Sequence, residues 1–190
     1  MKAREFNPLR LDVGEFVRAE AELQGEWPLR ALQRLAEEAH EDAPAGEQPV
    51  RWSVAGRLVP RRGGDPELWM HLKADTSISL ECQRCLRPVE EHLGVERDFR
   101  FVPDEKAAAE IDADSEEDVL ALSRSLNLQD LVEDELILAL PLVPRHEVCP
   151  ESLAGSAGAA AVGSEASEEP AGERRNPFAV LAQLKKDKLS

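Results

Sequence analysis

The sequence predicts an α+β fold in which helices cover an antiparallel sheet of three or more strands. Two observations lead to this prediction. Apolar and polar residues alternate in three runs between Val50 and Phe101, a pattern typical of antiparallel strands that bury one face. Apolar residues recur at helical spacing before and after these runs, so helices are available to cover that face. We assign the domain to residues 1–150 of the 190-residue chain, a length sufficient for one hydrophobic core.

The first 40 residues show the weakest pattern in this domain. Residues 9–13 alternate briefly, as an edge strand would. Pro28 stands where the first turn of a helix tolerates proline, and apolar residues follow it at helical spacing. The pattern predicts a helix of roughly 12 residues that ends near His40.

Three strands are predicted next. The first runs from Val50 to Pro60, and the glycines of RRGGDP then allow a tight reversal, so the first two strands should form a hairpin. The returning strand, residues 68–80, has the clearest alternation in the chain. A third run of alternating residues begins after Pro88 and ends at Phe101.

Residues 104–118 hold eight acids against one lysine, and we interpret them as a mobile acidic loop or a frayed helix. A second helix is predicted from Asn127, a residue suited to the N-cap, to Leu140, where Pro141 and Pro144 end it.

Four acids on this helix are candidates for acid–base chemistry. We expect them to form a solvated face, with one exception. Glu135 lies on the apolar side and is expected to be half-buried and paired, with an arginine of the sheet as the candidate partner. The four acids are Asp130, Glu133, Asp134 and Glu135.

The C-terminal 40 residues divide into two parts. Residues 151–175 are small, polar and glycine-bearing, which predicts a flexible linker. Residues 176–190 form a short amphipathic helix candidate, with Phe178, Leu181 and Leu184 at (i, i+3) spacing and lysines in the last turn. An isolated helix of this length is marginal in water, so the segment either packs back on the domain or docks on a partner.

The charge of the chain favours some partners over others. Thirty-eight acids face 23 Lys and Arg, which gives a formal net charge of −15. Such a charge makes direct RNA binding less expected and favours a basic protein partner. The alternative is that the acidic residues only keep the protein soluble. No run of about 18 apolar residues and no signal peptide is present, so we expect a cytoplasmic protein with no membrane partner.

Three cysteines and one histidine form the candidate metal site. Cys82 and Cys85 are separated by two residues at a predicted chain reversal, which allows both sulfurs to converge on one Zn²⁺ ion. A structural site needs four ligands, and His146 and Cys149 are the only plausible others. Two alternatives remain: ordinary reduced cysteines at a strand end, or redox use, which the location between two strands disfavours.

No Ser/His/Asp or Cys/His catalytic pattern and no phosphate-binding loop is recognisable. The remaining histidines, His40, His71 and His92, are interpreted as surface residues.

Three segments now resemble one family signature: LECQRC at residues 80–85, LVEDELILALPLVP at 131–144, and NPFAVLAQLK at 176–185. Together with His146 and Cys149 they resemble the YceD family of large ribosomal RNA subunit accumulation proteins. The resemblance implies a cytoplasmic role in the synthesis, processing or stability of large-subunit (23S) rRNA. It implies no known enzyme activity, and it supplies no established catalytic or ligand residue.

Two mechanisms are compatible with this role. In the first, the chain is an adaptor: the acidic body holds a basic ribosomal protein or assembly factor, and Phe178, Leu181 and Leu184 dock in a partner groove. In the second, the chain binds RNA directly through its basic C-terminal end and a local patch. The candidate patch consists of Arg51, Arg57, Arg61 and Arg62.

Overall fold

The computed structural model describes residues 5–112 and 117–150. The predicted linker (151–175) and terminal helix (176–190), including Phe178, Leu181 and Leu184, lie outside the described residues. The strands are β1 (Glu22–Pro28), β2 (Pro49–Val59), β3 (Glu67–Glu81), β4 (Pro88–Val102) and β5 (Asp118–Ala121). The helices are α1 (Val13–Arg18), α2 (Gln33–Glu37), α3 (Glu105–Asp112) and α4 (Leu128–Leu138), with 3-10 turns at Pro8–Arg10 and Leu29–Ala31.

The five strands form one sheet in the order β1-β2-β3-β4-β5. Neighbours from β1 to β4 are antiparallel, and β5 runs parallel to β4. This pair is parallel because of the connection between its strands. After β4 ends, the chain runs back through α3, so β5 begins opposite Phe99 and continues in the direction of β4. The predicted α+β class and the mainly antiparallel sheet are confirmed.

The predicted hairpin corresponds to β2 and β3, which pair from Arg51 opposite Asp75 to Val59 opposite Glu67. The next pair, β3 and β4, extends from Leu68 opposite Phe101 to Glu81 opposite Pro88. One face of β3 is buried throughout, as its alternation predicts. The buried residues are Met70, Leu72, Ala74, Thr76, Ile78 and Leu80.

Helices α1 and α4 lie on this buried face. At α1 the backbones approach closely, since a Cβ atom at Gly56 of β2 would lie 2.8 Å from the Cα atom of Val17. Helix α4 begins as predicted at Asn127, whose side chain accepts a hydrogen bond from the Gln129 amide. Its inward residues Leu128, Val132 and Leu136 are fully buried.

The prediction was wrong in the first 40 residues. Residues 9–13 form no edge strand, because Asn7 and Asp12 cap two short helical turns, and only Leu11 pairs in a bridge with Leu126. Strand β1 was not predicted. Pro28 ends that strand instead of starting a long helix, and the helical part that follows is a 3-10 turn and the five-residue α2.

The acidic segment 104–118 is not a loop over most of its length. Residues 105–112 form α3, so the helix interpretation applies there, and β5 begins at Asp118. The buried Ala108 packs with Val102 and Val119 in a small second cluster. This apolar contact holds α3 on the sheet, although most of the segment's residues are acidic or small. Residues 113–116 lie outside the described residues. Among the helices described, none is long and apolar enough to cross a membrane.

Candidate metal centre

The turn between β3 and β4 carries the first two candidate ligands. It is closed by two backbone hydrogen bonds, from the Cys82 amide to the Arg87 carbonyl (2.9 Å) and from the Leu86 amide to the Cys82 carbonyl (2.8 Å). Leu86 adopts a left-handed conformation (φ 58°), which an L-residue adopts at some cost and which reverses the chain directly after Cys85. The reversal places both sulfurs at one end of the sheet.

The segment after α4 brings the other two ligands to this turn. The amide of Gln83 donates a hydrogen bond to the carbonyl of Pro144 (2.9 Å). Beyond Pro144, the side chains of His146 and Cys149 come to the two cysteines of the turn. The structure therefore brings together all four residues that the sequence indicated as candidate ligands.

The distances within the cluster fit a tetrahedral ion site. The Sγ atoms of Cys82 and Cys149 are 3.9 Å apart, and the Cys85 Sγ atom is 3.5 Å from Nδ1 of His146. All four ligand atoms lie within 4.8 Å of one another. A regular tetrahedron around Zn²⁺ has S···S edges of about 3.8 Å and S···N edges of about 3.6 Å, given Zn–S of about 2.3 Å and Zn–N of about 2.0–2.1 Å. The cluster could hold a metal ion.

The imidazole of His146 is oriented for this role. Its Nε2 atom lies 3.1 Å from the carbonyl oxygen of Pro88. With the proton on Nε2, this contact is a hydrogen bond and the lone pair of Nδ1 faces the sulfurs. In metal sites, a hydrogen bond from the nitrogen that does not bind the ion fixes the orientation and the tautomer of a histidine ligand.

The three thiols share a partly enclosed environment. Cys82 is fully buried, and Cys85 and Cys149 are half-buried. Burial alone raises the pKa of Cys82, but hydrogen bonds from the Arg84, His146 and Cys85 backbone outweigh it and lower this pKa to about 5. The pKa of Cys85 is raised, first by burial and then by the Cys149 and Cys82 side chains. The site thus favours the thiolate of Cys82 over that of Cys85, and a bound cation would favour the Cys85 thiolate as well.

Residues 70–185 match the family described as "Large ribosomal RNA subunit accumulation protein YceD". The chain belongs to the YceD family. A relative of the same name from Haemophilus influenzae is 31% identical over 181 residues, which cover 94% of this chain and 95% of the relative. No solved structure gives a significant match. The YceD-family match begins in β3 and includes all four residues of the cluster.

Two further residues support the turn, and sequence reasoning did not identify them. His40 was predicted at the surface but is buried, and its Nε2 atom lies 3.1 Å from the Leu86 carbonyl oxygen. Its Nδ1 atom accepts a hydrogen bond from the Asp42 amide, which leaves the proton on Nε2. Arg84 reaches across from the turn to the loop of His146 and Cys149. The position of Arg84 between Cys82 and Cys85 was the only feature of the sequence that could have indicated this contact.

The acids of α4 do not form one solvated face. The predicted pairing of Glu135 is confirmed: this buried residue lies 3.3 Å from Nε of Arg97, on β4. Burial raises the pKa of Glu135, and Arg97 only partly offsets this effect. Glu133 was predicted in solvent but is also buried, because it binds Arg34 and the backbone at the start of α2.

The predicted arginine patch is divided by the fold. Arg51 pairs with Asp75 at 2.8 Å, and Arg57 pairs with Asp98 at 3.1 Å, both on the exposed face of the sheet. Arg57 also lies over the ring of Trp69. The other two members of the patch, Arg61 and Arg62, are exposed at the turn between β2 and β3.

Proposed function

We propose that this chain is a non-enzymatic factor in the accumulation of large-subunit (23S) rRNA, acting in the cytoplasm as an adaptor. The observation that supports this role is the match to the Haemophilus influenzae relative, whose name describes large ribosomal RNA subunit accumulation and which aligns with 94% of the chain. The adaptor's partner is a basic ribosomal protein or assembly factor.

The net charge of the chain and the ion pairs of its arginines favour a protein partner over RNA. The chain carries a net charge of −15, which repels phosphate and attracts a basic surface. Arg51 and Arg57 are already paired with carboxylates, so a phosphate would have to displace Asp75 and Asp98. Direct RNA binding would then depend on Arg61, Arg62 and the basic C-terminal end.

An affinity pull-down from growing cells, with and without ribonuclease, tests this proposal. The adaptor should retain a basic ribosomal or assembly protein after ribonuclease treatment. The purified chain should bind rRNA weakly at physiological salt. If capture requires intact RNA, and RNA binding is tight with a steep dependence on salt, the chain is an RNA-binding module instead.

We further propose that the adaptor contains one structural zinc ion, bound by Cys82, Cys85, His146 and Cys149. The convergence of four ligand atoms at distances close to tetrahedral edges supports this proposal. The ion would join the β3–β4 turn to the segment after α4, and it would compensate the second and third thiolates.

Metal analysis of the purified full-length chain tests the zinc proposal. We expect about one equivalent of zinc, and a lower melting temperature after chelation. His146→Ala should lose the ion, while His92→Ala, an exposed histidine of β4 away from the site, should retain it. A chain that contains no metal and melts at the same temperature with and without chelator would exclude a structural ion.

The second contact of the adaptor is proposed at the C-terminal segment, where Phe178, Leu181 and Leu184 dock in an apolar groove of a partner. The family match extends to residue 185 and so includes these three residues. Deletion of residues 173–190 should leave the melting temperature unchanged and reduce rRNA accumulation in cells. A loss of more than about 1 kcal/mol in unfolding free energy, large for a surface appendage, would instead indicate that the segment packs on the domain.

A further inference from the structure

Arg84 connects the two halves of the metal centre. It lies between Cys82 and Cys85 in the β3–β4 turn, and its guanidinium group contacts the loop that carries the other two ligands. Its Nε atom is 3.1 Å from the Sγ atom of Cys149. Its Nη2 atom is 2.7 Å from the carbonyl oxygen of His146 and 3.4 Å from that of Glu147.

The charge of a loaded site explains why a cation is needed at this position. Zn²⁺ bound by three thiolates and a neutral imidazole has a net charge of −1. A partly buried net charge is costly unless an opposite charge compensates it. Arg84 supplies a guanidinium cation, and its Nε–H points at one of the proposed ligand sulfurs.

The same contacts hold the loop of His146 and Cys149 against the turn. One residue of the turn bonds to His146, Glu147 and Cys149, the three positions that determine where the second pair of ligands lies. A site whose ligands are already held in place loses less conformational entropy on binding, and this raises affinity.

We propose that Arg84 is a positioning residue of the metal centre, which neutralises the loaded site and holds the loop of His146 and Cys149 against the β3–β4 turn. This inference rests on the zinc site proposed above. It assigns to Arg84 a role in metal affinity and not in contact with RNA phosphate.

Zinc affinity of full-length variants tests the role, measured by competition with a chromogenic chelator. Arg84→Ala should weaken zinc binding about 10–100-fold, the usual effect of losing a residue that supports a metal ligand. Arg84→Lys should lie between Arg84→Ala and the wild type, since it keeps the charge and loses the fork of donors. Arg145→Ala is the matched control: it removes the same charge beside His146, and among the described residues Arg145 has no polar partner.

Substitution with Co²⁺ distinguishes positioning from loss of the site. Arg84→Ala loaded at high Co²⁺ should show the same thiolate-to-cobalt absorption as the wild type, because all three sulfurs still bind. Wild-type affinity in Arg84→Ala, an equal loss in Arg145→Ala, or a spectrum with fewer thiolates would each overturn the role of Arg84. A wild-type chain without affinity for Zn²⁺ would instead overturn the zinc site itself, and the role of Arg84 with it.

Discussion

Glu133 connects two helices that are distant in the sequence, and its removal should destabilise the fold. Its Oε1 atom accepts hydrogen bonds from the backbone amides of Arg34 (2.7 Å) and Leu35 (3.2 Å). Its Oε2 atom accepts from the Arg34 side chain at Nε (3.0 Å) and Nη2 (2.8 Å). The N-cap residue of α2, Leu32, makes no side-chain hydrogen bond to the helix. The carboxylate of Glu133 on α4 therefore accepts the hydrogen bonds of the free amides in the first turn of α2.

The expected cost of Glu133→Ala is about 1–3 kcal/mol of unfolding free energy. Loss of a helix cap costs about 0.5–2 kcal/mol, and an additional buried donor without a partner adds about 1 kcal/mol. The ion pair itself adds little, because the Arg34 side chain is 54% exposed and keeps its contact with Asp134. Glu133→Gln should cost less than half as much, since an amide oxygen can still accept both backbone hydrogen bonds.

Urea unfolding at neutral pH, followed by the fluorescence of the three tryptophans, measures this cost. Asp134→Ala is the control, because Asp134 also binds Arg34, at 2.6 Å, but its side chain is 52% exposed. The control should lose only a small part of the stability that Glu133→Ala loses. Equal losses in the two variants would show that the ion pair with Arg34, and not the cap of α2, is what Glu133 contributes.

Two further predictions concern α4. Leu136→Ala should lower the free energy of unfolding by about 2–5 kcal/mol, because Leu136 is fully buried. The control Leu138→Ala, at a 74% exposed position, should change it by no more than about 0.5 kcal/mol in the same urea assay. A Leu136→Ala variant that keeps its stability but loses rRNA accumulation would identify an interaction surface instead. Because burial raises the pKa of Glu135 in the fold, its protonated form contributes stability that is present below the ordinary carboxyl pKa and is lost as pH rises. Glu135→Gln lacks this loss, so its stability relative to the wild type should increase from pH 4 to pH 7; a pH-independent difference would contradict the raised pKa.

The strands that could be predicted are those whose alternation is complete within the strand itself. In β3 every second residue is apolar or small, and this is sufficient to assign its buried face. Strand β1 was missed because Gly25 interrupts its apolar series. The structure explains this glycine: a Cβ atom there would lie 2.7 Å from the ring of Trp52, which stacks on Trp27. The side chain that determines residue 25 belongs to another strand and cannot be recognised from the local pattern.

The candidate site also has a part that the local sequence predicts and a part that depends on distant segments. The spacing of Cys82 and Cys85 at a strand end, with His146 and Cys149 after a proline turn, was sufficient to group the four candidate ligands. The residues that support them were not predictable, because each contacts a backbone carbonyl of a distant segment. His40 contacts the carbonyl of Leu86, and Arg84 contacts that of His146. Such contacts leave no periodic signal, since any residue can provide a carbonyl.

The polar contacts of α4 and the segment after it have a consequence for the proposed adaptor. Ion pairs with Arg34 and Arg97 hold α4 itself, and the contact between the Cys82 and Cys149 sulfurs holds the chain again one residue before the described part ends. A bound ion would therefore determine the point from which the predicted linker starts. The closure entropy of a linker grows only with the logarithm of its length, so the exact number of residues in 151–175 matters little. On the adaptor proposal, the position of this anchor would determine which surfaces the terminal segment can reach, and the proposed metal centre would contribute to partner binding in this way without contacting the partner.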